Sequence, residues 1–135
     1  MKIEEFLAND RFAALAGIEL LETGTGYARA RMEITPDHLN GGGVCQGGAI
    51  FTLADLVFAA ACNSHDNLTV SIGSSINLFR SEKSGYLYAE VREVYDHKRL
   101  SNCEVRITNE NGDLVATFTG TGYRKGIALG DITKE

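Results

Sequence analysis

The chain has 135 residues, a net charge of −5 and a sequence pI near 5.2. Its length suits one domain with a single core, and its acidic balance gives no basic field for nucleic acid. Three cysteines without C-x-x-C spacing fit a reduced protein with buried thiols. The N-terminus lacks the apolar segment of a signal peptide. We therefore expect one cytoplasmic domain, residues 1–135, that binds neither nucleic acid nor membranes.

The first 43 residues predict a helix, two strands and a loop. Apolar residues at roughly helical spacing predict a leading helix within 1–14, which Gly17 ends. Residues 18–22 are a short strand candidate. Strict alternation of apolar and polar residues over 27–34 predicts a half-buried strand, and Pro36 stops it. A glycine-rich loop follows.

The run over 44–62 predicts one helix that is apolar on nearly every side. Within 49–62 only Thr52 and Asp55 are polar, so the helix is expected inside the domain. The run approaches the length of a membrane span. Its polar residues, which include Gln46, and its strand-rich surroundings favour a core helix instead.

Four strands are predicted after this helix. They cover residues 68–78, 86–96, 103–107 and 114–123. Alternation of apolar and polar residues predicts the first strand. The turn at Ser84-Gly85 precedes the second strand, and the turn at Asn111-Gly112 precedes the fourth. Consecutive strands joined by tight turns predict an antiparallel meander that needs a helix to cover it. The fold class is therefore α+β, an antiparallel sheet curled around the long helix. Residues 126–135 are expected to form a loosely ordered tail.

Several motifs together resemble one family. The pattern His38-x-Asn40-x-x-Gly43-x-x-Gln46-Gly47-Gly48, followed by Leu53-Ala54-Asp55, resembles hotdog-fold acyl-CoA thioesterases of the phenylacetic acid degradation (PaaI-like) family. The segments 76–80 and 111–121 are also similar, and the resemblance covers roughly residues 15–125.

This resemblance implies a hotdog fold that hydrolyses an acyl-CoA to the free acid and CoA. It implies a homodimer with composite sites, often doubled into a tetramer. Coenzyme A enters as part of the substrate, so no separate cofactor is expected. One position departs from the family. Where a histidine is usual, this chain has Gln46, whose side chain donates and accepts hydrogen bonds but does not titrate.

The chemistry of thioester hydrolysis selects the first candidates. The reaction needs an activated water or a nucleophile, together with donors for the developing oxyanion. Gly47 and Gly48 would offer free backbone N–H groups at the positive end of the helix. Asp55 is the candidate general base or nucleophile, and its apolar neighbours would raise its pKa. Both features also have structural explanations: glycines that let the helix pack on a strand, and a buried Asp55 hydrogen-bonded to a strand or to Thr52.

The spacing of these candidates favours a dimer. Gly48 and Asp55 are seven residues apart, so they lie about 10 Å apart along a helix. One thioester carbon does not readily meet both ends of that span. Two antiparallel copies of the helix would bring the glycines of one subunit to Asp55 of the other.

Other polar residues are secondary candidates. Asn40 would orient the water or the thioester oxygen, as the resemblance implies, although Asn before Gly is also common in turns. Ser71 resembles a position that supports the attacking water, although it could equally be a solvent-facing strand residue. Cys45 with His38 would allow a cysteine hydrolase, but nothing in the sequence places them in contact. The three histidines show no paired spacing, so no metal site is predicted.

The two ends of the substrate need different side chains. The phosphates of coenzyme A require cations, for which the candidates are Arg80, Lys98, Arg99 and Arg124. Lys98 and Arg99 are preferred because the resemblance places the nucleotide near this turn, although charged turns are usually only solvated. An aryl or medium-chain acyl group could contact aromatic residues, which are also ordinary core residues: Phe51, Phe58, Tyr86 and Tyr88.

Three functions remain open from the sequence. The first is an acyl-CoA thioesterase that uses Asp55, Gly47 and Gly48. The second is a non-catalytic acyl-CoA-binding hotdog protein in which Gln46 marks lost chemistry. The third, a hotdog hydratase or dehydratase, is disfavoured because Gln46 replaces the histidine expected beside the helix start.

Overall fold

The computed structural model describes residues 1–132 as one antiparallel sheet and one long helix, with short helices at the N-terminus. The helices are α1 (Ile3–Ala8), α2 (Arg11–Leu15) and α3 (Gly47–Cys62), and the strands are β1 (Ile18–Gly24), β2 (Tyr27–Ile34), β3 (Thr69–Leu78), β4 (Gly85–Asp96), β5 (Leu100–Thr108) and β6 (Leu114–Arg124). Two 3-10 turns cover Pro36–His38 and Leu129–Asp131. The expected α+β fold, a sheet curled around the central helix, is confirmed. None of the helices in residues 1–132 is long and apolar enough to cross a membrane.

The six strands are arranged in the order β1-β2-β4-β5-β6-β3. The predicted meander of four consecutive strands is therefore right for β4, β5 and β6 but wrong for β3. Strand β3 pairs with β6 at the far edge instead of with β4. The connection over 79–84 is longer than a two-residue hairpin turn, so it does not force sequential neighbours to pair.

The inner face of the sheet and α3 form the core. Alternation predicted the buried face of β2 correctly: Ala28, Ala30 and Met32 are fully buried there. Helix α3 begins at Gly47, three residues later than the apolar run, with Gln46 as its N-cap. The helix is partly exposed in its first turn and at Phe51, and beyond these only a narrow stripe stays partly exposed, at Thr52, Asp55 and Ala59.

The leading segment is two short helices, not the single amphipathic helix that was expected. The break lies at Asp10, whose carboxylate accepts a hydrogen bond from the backbone N–H of Ala13 at 3.0 Å and caps α2. The new direction of the chain buries Ala13 but leaves Phe12 67% and Leu15 83% exposed.

The C-terminal segment is docked rather than loose over 126–132. The N–H of Gly126 donates to the side chain of Asn67 at 2.9 Å, and the N–H of Leu129 donates to that of Asp66 at 3.1 Å. Leu129 is only 2% exposed. The expected loose tail is therefore wrong for these residues, and the part of it at 133–135 lies outside the described residues.

The three thiols are buried, as the composition suggested. Cys45, Cys62 and Cys103 are all free and all buried. Burial raises the pKa of each thiol, that of Cys103 to about 11. Neutral thiols of this kind behave as small apolar core residues.

Candidate active site

The first turn of α3 presents two free backbone donors. Gln46 caps the helix without a side-chain hydrogen bond, and its own N–H donates to the carbonyl oxygen of His38 at 2.8 Å. Within residues 1–132, no acceptor takes the N–H of Gly47 or of Gly48. The partial positive charge of the helix N-terminus adds to these donors, so the site suits an oxygen that carries negative charge.

A side chain at either glycine would meet a different neighbour. A Cβ on Gly47 would lie 2.9 Å from Cδ1 of Leu78, so Gly47 lets the helix pack on β3, as the structural explanation proposed. A Cβ on Gly48 would meet only the side chain of Gln46, at 2.6 Å from Oε1. Gln46 is exposed and can move, so the space above Gly48 is not filled by the core.

Asp55 is a half-buried carboxylate without a partner. No hydrogen bond or ion pair among the described residues involves it, and the hydroxyl of Thr52 donates to the carbonyl oxygen of Gly48 at 2.8 Å instead. Burial, and secondarily the charge of Asp10, raises its pKa above the ordinary 3.8. The alternative of an Asp55 bonded to Thr52 or to a strand thus finds no support within residues 1–132.

Asn40 shapes the glycine loop and still has a free donor. Its Oδ1 accepts from the N–H groups of Gly42 and Val44, at 2.9 and 3.2 Å. This is the turn chemistry that the sequence suggested. The Nδ2 amide has no acceptor in the described part of the chain, so Asn40 could donate a hydrogen bond but has its oxygen already engaged.

His38 holds the backbone around the loop and is not paired with a thiol. Its Nδ1 accepts from the N–H of Thr35 at 2.9 Å, and its Nε2 donates to the carbonyl oxygen of Ala16 at 2.7 Å. These partners determine the neutral tautomer, because a backbone N–H only donates and a carbonyl only accepts. Both ring nitrogens are therefore occupied, which argues against the Cys45–His38 hydrolase.

A cavity of about 860 Å³ opens beside the first turn of α3. Among the residues that line it are three of the predicted site residues and an apolar set that was not predicted: Asn40, Gln46, Gly48, Phe12, Leu15 and Leu39. Asp55, Gly47 and Ser71 do not line it. The structure thus places Asn40, Gln46 and Gly48 on one cavity and leaves Gly47 and the carboxylate of Asp55 outside its lining.

The aromatic residues proposed for an acyl pocket lie elsewhere. Phe58 is in the core, with its ring 5.9 Å from that of Phe118. Tyr86 is on the other face of the sheet, where the guanidinium of Arg31 covers its ring at 4.5 Å, and Tyr88 is its neighbour. No signal in a single sequence identified Phe12 and Leu15, although the Asp10 cap between two apolar stretches was visible.

Ser71 lies on the exposed edge strand β3. Its hydroxyl is 3.2 Å from that of Ser74, and a bulge interrupts the pairing between Ser71 and Gly73. Within one chain it therefore has no contact with Asp55 that would assign it a role.

The basic candidates for coenzyme A divide into free and engaged cations. Lys98 and Arg99 are exposed between β4 and β5, and neither forms an ion pair within residues 1–132. Arg80 pairs with Glu82 at 2.9 Å. Arg124 is 8% exposed and pairs with Glu93 at 3.3 Å and with Asp96 at 2.7 Å, so it is better explained as a structural residue.

One cluster has the composition of a metal site. His65, Glu93 and Asp96 bring ligand atoms within 4.8 Å of one another. The guanidinium of Arg124 already pairs with both carboxylates there, and Nε2 of His65 lies 2.7 Å from Oε1 of Glu93. These contacts describe an ion-pair network within the fold rather than a vacant cation site.

Comparisons with known proteins identify the family of the chain. Residues 42–116 match the family model described as "Thioesterase superfamily". The acyl-coenzyme A thioesterase PaaI of Escherichia coli is 34% identical over 128 residues, which are 94% of this chain and 89% of that protein. Its structure matches with a TM-score of 0.89 at 32% identity, over 93% of this chain and 91% of that one.

A second solved structure carries a ligand. A hypothetical thioesterase of Streptococcus pneumoniae, solved with coenzyme A, matches with a TM-score of 0.85 at 25% identity, over 92% of this chain and 98% of that one. The family match covers more than half of the chain, and the Escherichia coli relative aligns along nearly all of it. The chain therefore belongs to the thioesterase superfamily and has its hotdog fold.

Proposed function

We propose that the protein hydrolyses an acyl-CoA thioester to the free acid and CoA, in a homodimer whose sites are shared between subunits. The acyl-CoA thioesterase of Escherichia coli and the coenzyme A complex from Streptococcus pneumoniae support this substrate class. The observation that carries the proposal is the set of unpaired polar groups on α3. The free N–H groups of Gly47 and Gly48 lie in its first turn, and Asp55, which has no partner among the described residues, lies further along the helix.

The chemistry follows from these groups. The carboxylate of Asp55 takes a proton from water while the water oxygen bonds to the thioester carbon. The carbonyl electron pair moves onto oxygen, and the N–H groups of Gly47 and Gly48 stabilise the oxyanion. When the carbonyl re-forms, the carbon–sulfur bond breaks and Asp55 returns the proton to the departing thiolate.

A nucleophilic role for Asp55 is the alternative route. Its oxygen would attack the thioester carbon and expel CoA as a thiolate, and water would then hydrolyse the mixed anhydride. Mass spectrometry of acid-quenched enzyme separates the routes. An acyl adduct on Asp55 is expected only for direct attack, and its absence during steady turnover favours the general base.

The dimer would complete the site. About 10 Å separates Gly48 from Asp55 along α3, so the donors and the carboxylate of one chain do not reach one carbon. Across a two-fold axis, antiparallel α3 helices would bring the donors of one protomer to the carboxylate of the other. Doubling of this dimer into a tetramer is the corresponding proposal for the whole assembly.

The nucleotide end of the substrate would contact Lys98 and Arg99. They are exposed and have no ion-pair partner within residues 1–132, unlike Arg80 and Arg124. Replacement of both by Ala should raise KM for acyl-CoA and weaken its salt dependence, with kcat little changed. An unchanged KM at low salt would remove them from the site.

Asp55→Asn provides the direct test of the reaction. With a panel of acyl-CoAs and a thiol reagent that detects released CoA, this near-isosteric change should lower kcat by about 10²- to 10⁴-fold, as expected for loss of a general base. If the wild type and Asp55→Asn released CoA equally slowly, the proposed enzymatic function would be rejected, although both proteins could still bind acyl-CoA.

Gln46, which stands where the family usually has a histidine, is also consistent with a second function. A non-catalytic acyl-CoA-binding protein would retain the cavity and the free donors without turnover. Binding of intact acyl-CoA by calorimetry, together with no hydrolysis across the panel, would establish that function. Hydrolysis that disappears in Asp55→Asn would reject it.

A further inference from the structure

Two of the most exposed apolar side chains of the protein lie on the cavity that contains Gly48. Phe12 is 67% exposed and Leu15 is 83% exposed, and both line this cavity. Single exposed apolar residues are common on protein surfaces. Two on one five-residue helix, beside free oxyanion donors, indicate a surface that has a ligand to contact.

The geometry of α2 explains how these side chains come to face the cavity. Asp10 ends the preceding turn and caps α2, so the helix starts in a new direction. Ala13 faces the core and is 3% exposed. Phe12 and Leu15, three residues apart on one side of a helix, therefore point together, and together they form the α2 wall of the cavity.

His38 fixes the α2 wall relative to the donors. Its Nε2 donates to the carbonyl oxygen of Ala16, the C-cap of α2, at 2.7 Å. Its own carbonyl oxygen accepts from the N–H of Gln46, the N-cap of α3, at 2.8 Å. One residue thus connects the end of α2 to the residue that precedes the oxyanion donors, so the wall and the donors are held as a unit.

The charges of the cavity distinguish the two ends of an acyl-CoA. Among the described residues that line it, three are acidic, namely Glu19, Glu33 and Asp37, and none is Lys or Arg. Glu19 pairs with Arg31 at 3.1 Å, whereas Glu33 and Asp37 form no ion pair within residues 1–132. Negative side chains repel the phosphates of coenzyme A, whose unpaired cationic candidates lie between β4 and β5. The cavity therefore suits the acyl end of the substrate.

We propose that the α2 wall recognises the acyl group and that Phe12 and Leu15 are specificity-determining residues for acyl groups with an apolar body of aryl or medium-chain size. This inference rests on the proposed function for the identity of the ligand. It also makes a claim that the proposed reaction does not need, since Asp55, Gly47 and Gly48 act on any thioester.

Kinetic discrimination gives the first test. Phe12→Ala and Leu15→Ala should each lower kcat/KM for medium-chain and aryl-acyl CoAs by about 10-fold or more, the usual effect of lost apolar contact in a pocket. Activity on acetyl-CoA should change by less than about twofold, because a short chain does not reach the wall. Tyr95→Ala is the matched control, since Tyr95 is aromatic, 59% exposed and outside the cavity.

Two kinetic results would overturn the proposal. An equal loss for every chain length would indicate that α2 supports folding or assembly rather than specificity. An unchanged ratio between medium-chain and acetyl substrates would show that the acyl group lies elsewhere.

A fluorescence test separates this inference from the reaction itself. The chain contains no tryptophan, so Phe12→Trp introduces a unique indole on the wall. In an Asp55→Asn background, octanoyl-CoA should shift its emission to the blue and CoA alone should not. This shift is expected even if the wild-type protein hydrolyses nothing, so failure of the proposed function is distinguishable.

Other outcomes of this experiment would reject the α2 wall as the surface that binds the acyl group. No response to octanoyl-CoA, or an equal response to CoA, would place the acyl group elsewhere. Emission that is already blue without ligand and shifts red on dilution would identify the wall as a contact between two copies of this chain.

Discussion

Asp55 is a partly buried charged residue on the helix that forms the centre of the core. Its carboxylate is half-buried on α3, lacks a partner among the described residues and has a raised pKa. A group kept ionised in such surroundings costs stability that an amide or an apolar residue would not cost. The presence of Asp55 at this position is therefore explained more simply by chemistry than by folding.

The pH dependence of the reaction should report this environment. In the proposed reaction Asp55 acts when ionised, so kcat/KM should fall on the acid side of a midpoint that lies above the ordinary 3.8. Asp10→Asn removes the second contribution to the raised pKa and still caps α2, so the midpoint should move to lower pH.

The matched control for this pH profile is Glu5→Gln. It removes an exposed charge from α1 that does not contribute to the pKa of Asp55, so the midpoint should stay in place. A profile that is flat down to pH 3.8, or one that Asp10→Asn leaves unmoved, would contradict the assignment of Asp55 as the ionising group.

At the scale of elements, the two edges of the sheet differ in charge. Edge strand β1 carries Glu19 and Glu22, which discourage pairing with another sheet. Edge strand β3 has no charged residue and exposes large apolar side chains, among them Ile72 at 60%. In the proposed dimer, a second chain would cover this unprotected edge.

Ile72→Lys tests this edge. A charge there should shift the proposed dimer towards monomer in light scattering and lower thioesterase activity in parallel, because the proposed composite site needs both chains. Val94→Lys is the matched control, with a side chain that is 59% exposed on β4. A monomeric wild type, or Ile72→Lys monomers that keep full activity, would reject both the interface and the shared site.

Local patterns predicted the elements better than they predicted their neighbours. Alternation identified β2, and Asn111-Gly112 marked the turn in which Gly112 has a φ of 80°. The edge position of β3 depends on its ladder with β6, which is a non-local choice. The break before α2 depended on whether Asp10 would cap a new helix, so the exposure of Phe12 was not predictable from helical spacing.

The residues of the candidate site also differ in how far the sequence predicted them. Its motif identified Asn40, Gln46, Gly47, Gly48 and Asp55 because these lie close along one loop and one helix. The acyl side of the cavity comes from a distant part of the chain and carries no motif. Arg124 showed the limit of charge alone, since burial against Glu93 and Asp96 engages a cation that appeared free in the sequence.

For the whole molecule, the composite site predicts complementation between two inactive variants. Asp55→Ala removes the carboxylate, and Gly48→Pro removes one N–H in the first helical turn, where Pro is tolerated. In an equimolar mixture, half of the dimers would contain both variants and each would have one intact site. Activity should therefore recover to about a quarter of the wild-type value.

The control for the complementation is Gly48→Ala, which adds a Cβ but keeps the N–H. It should be far more active than Gly48→Pro. That difference would show that the loss of the N–H donor matters and the added bulk does not. No recovery from mixed dimers that are shown to have formed would assign both groups to the same chain.

In these experiments the reactivity of the buried thiols would report whether a variant is folded. Released CoA is detected through its thiol, whereas Cys45, Cys62 and Cys103 are buried and their raised pKa values keep them in the unreactive neutral form. Folded enzyme should therefore add almost no background signal. A variant that unfolds would instead release a substrate-independent burst of three equivalents of thiol, so one cuvette distinguishes lost catalysis from lost structure.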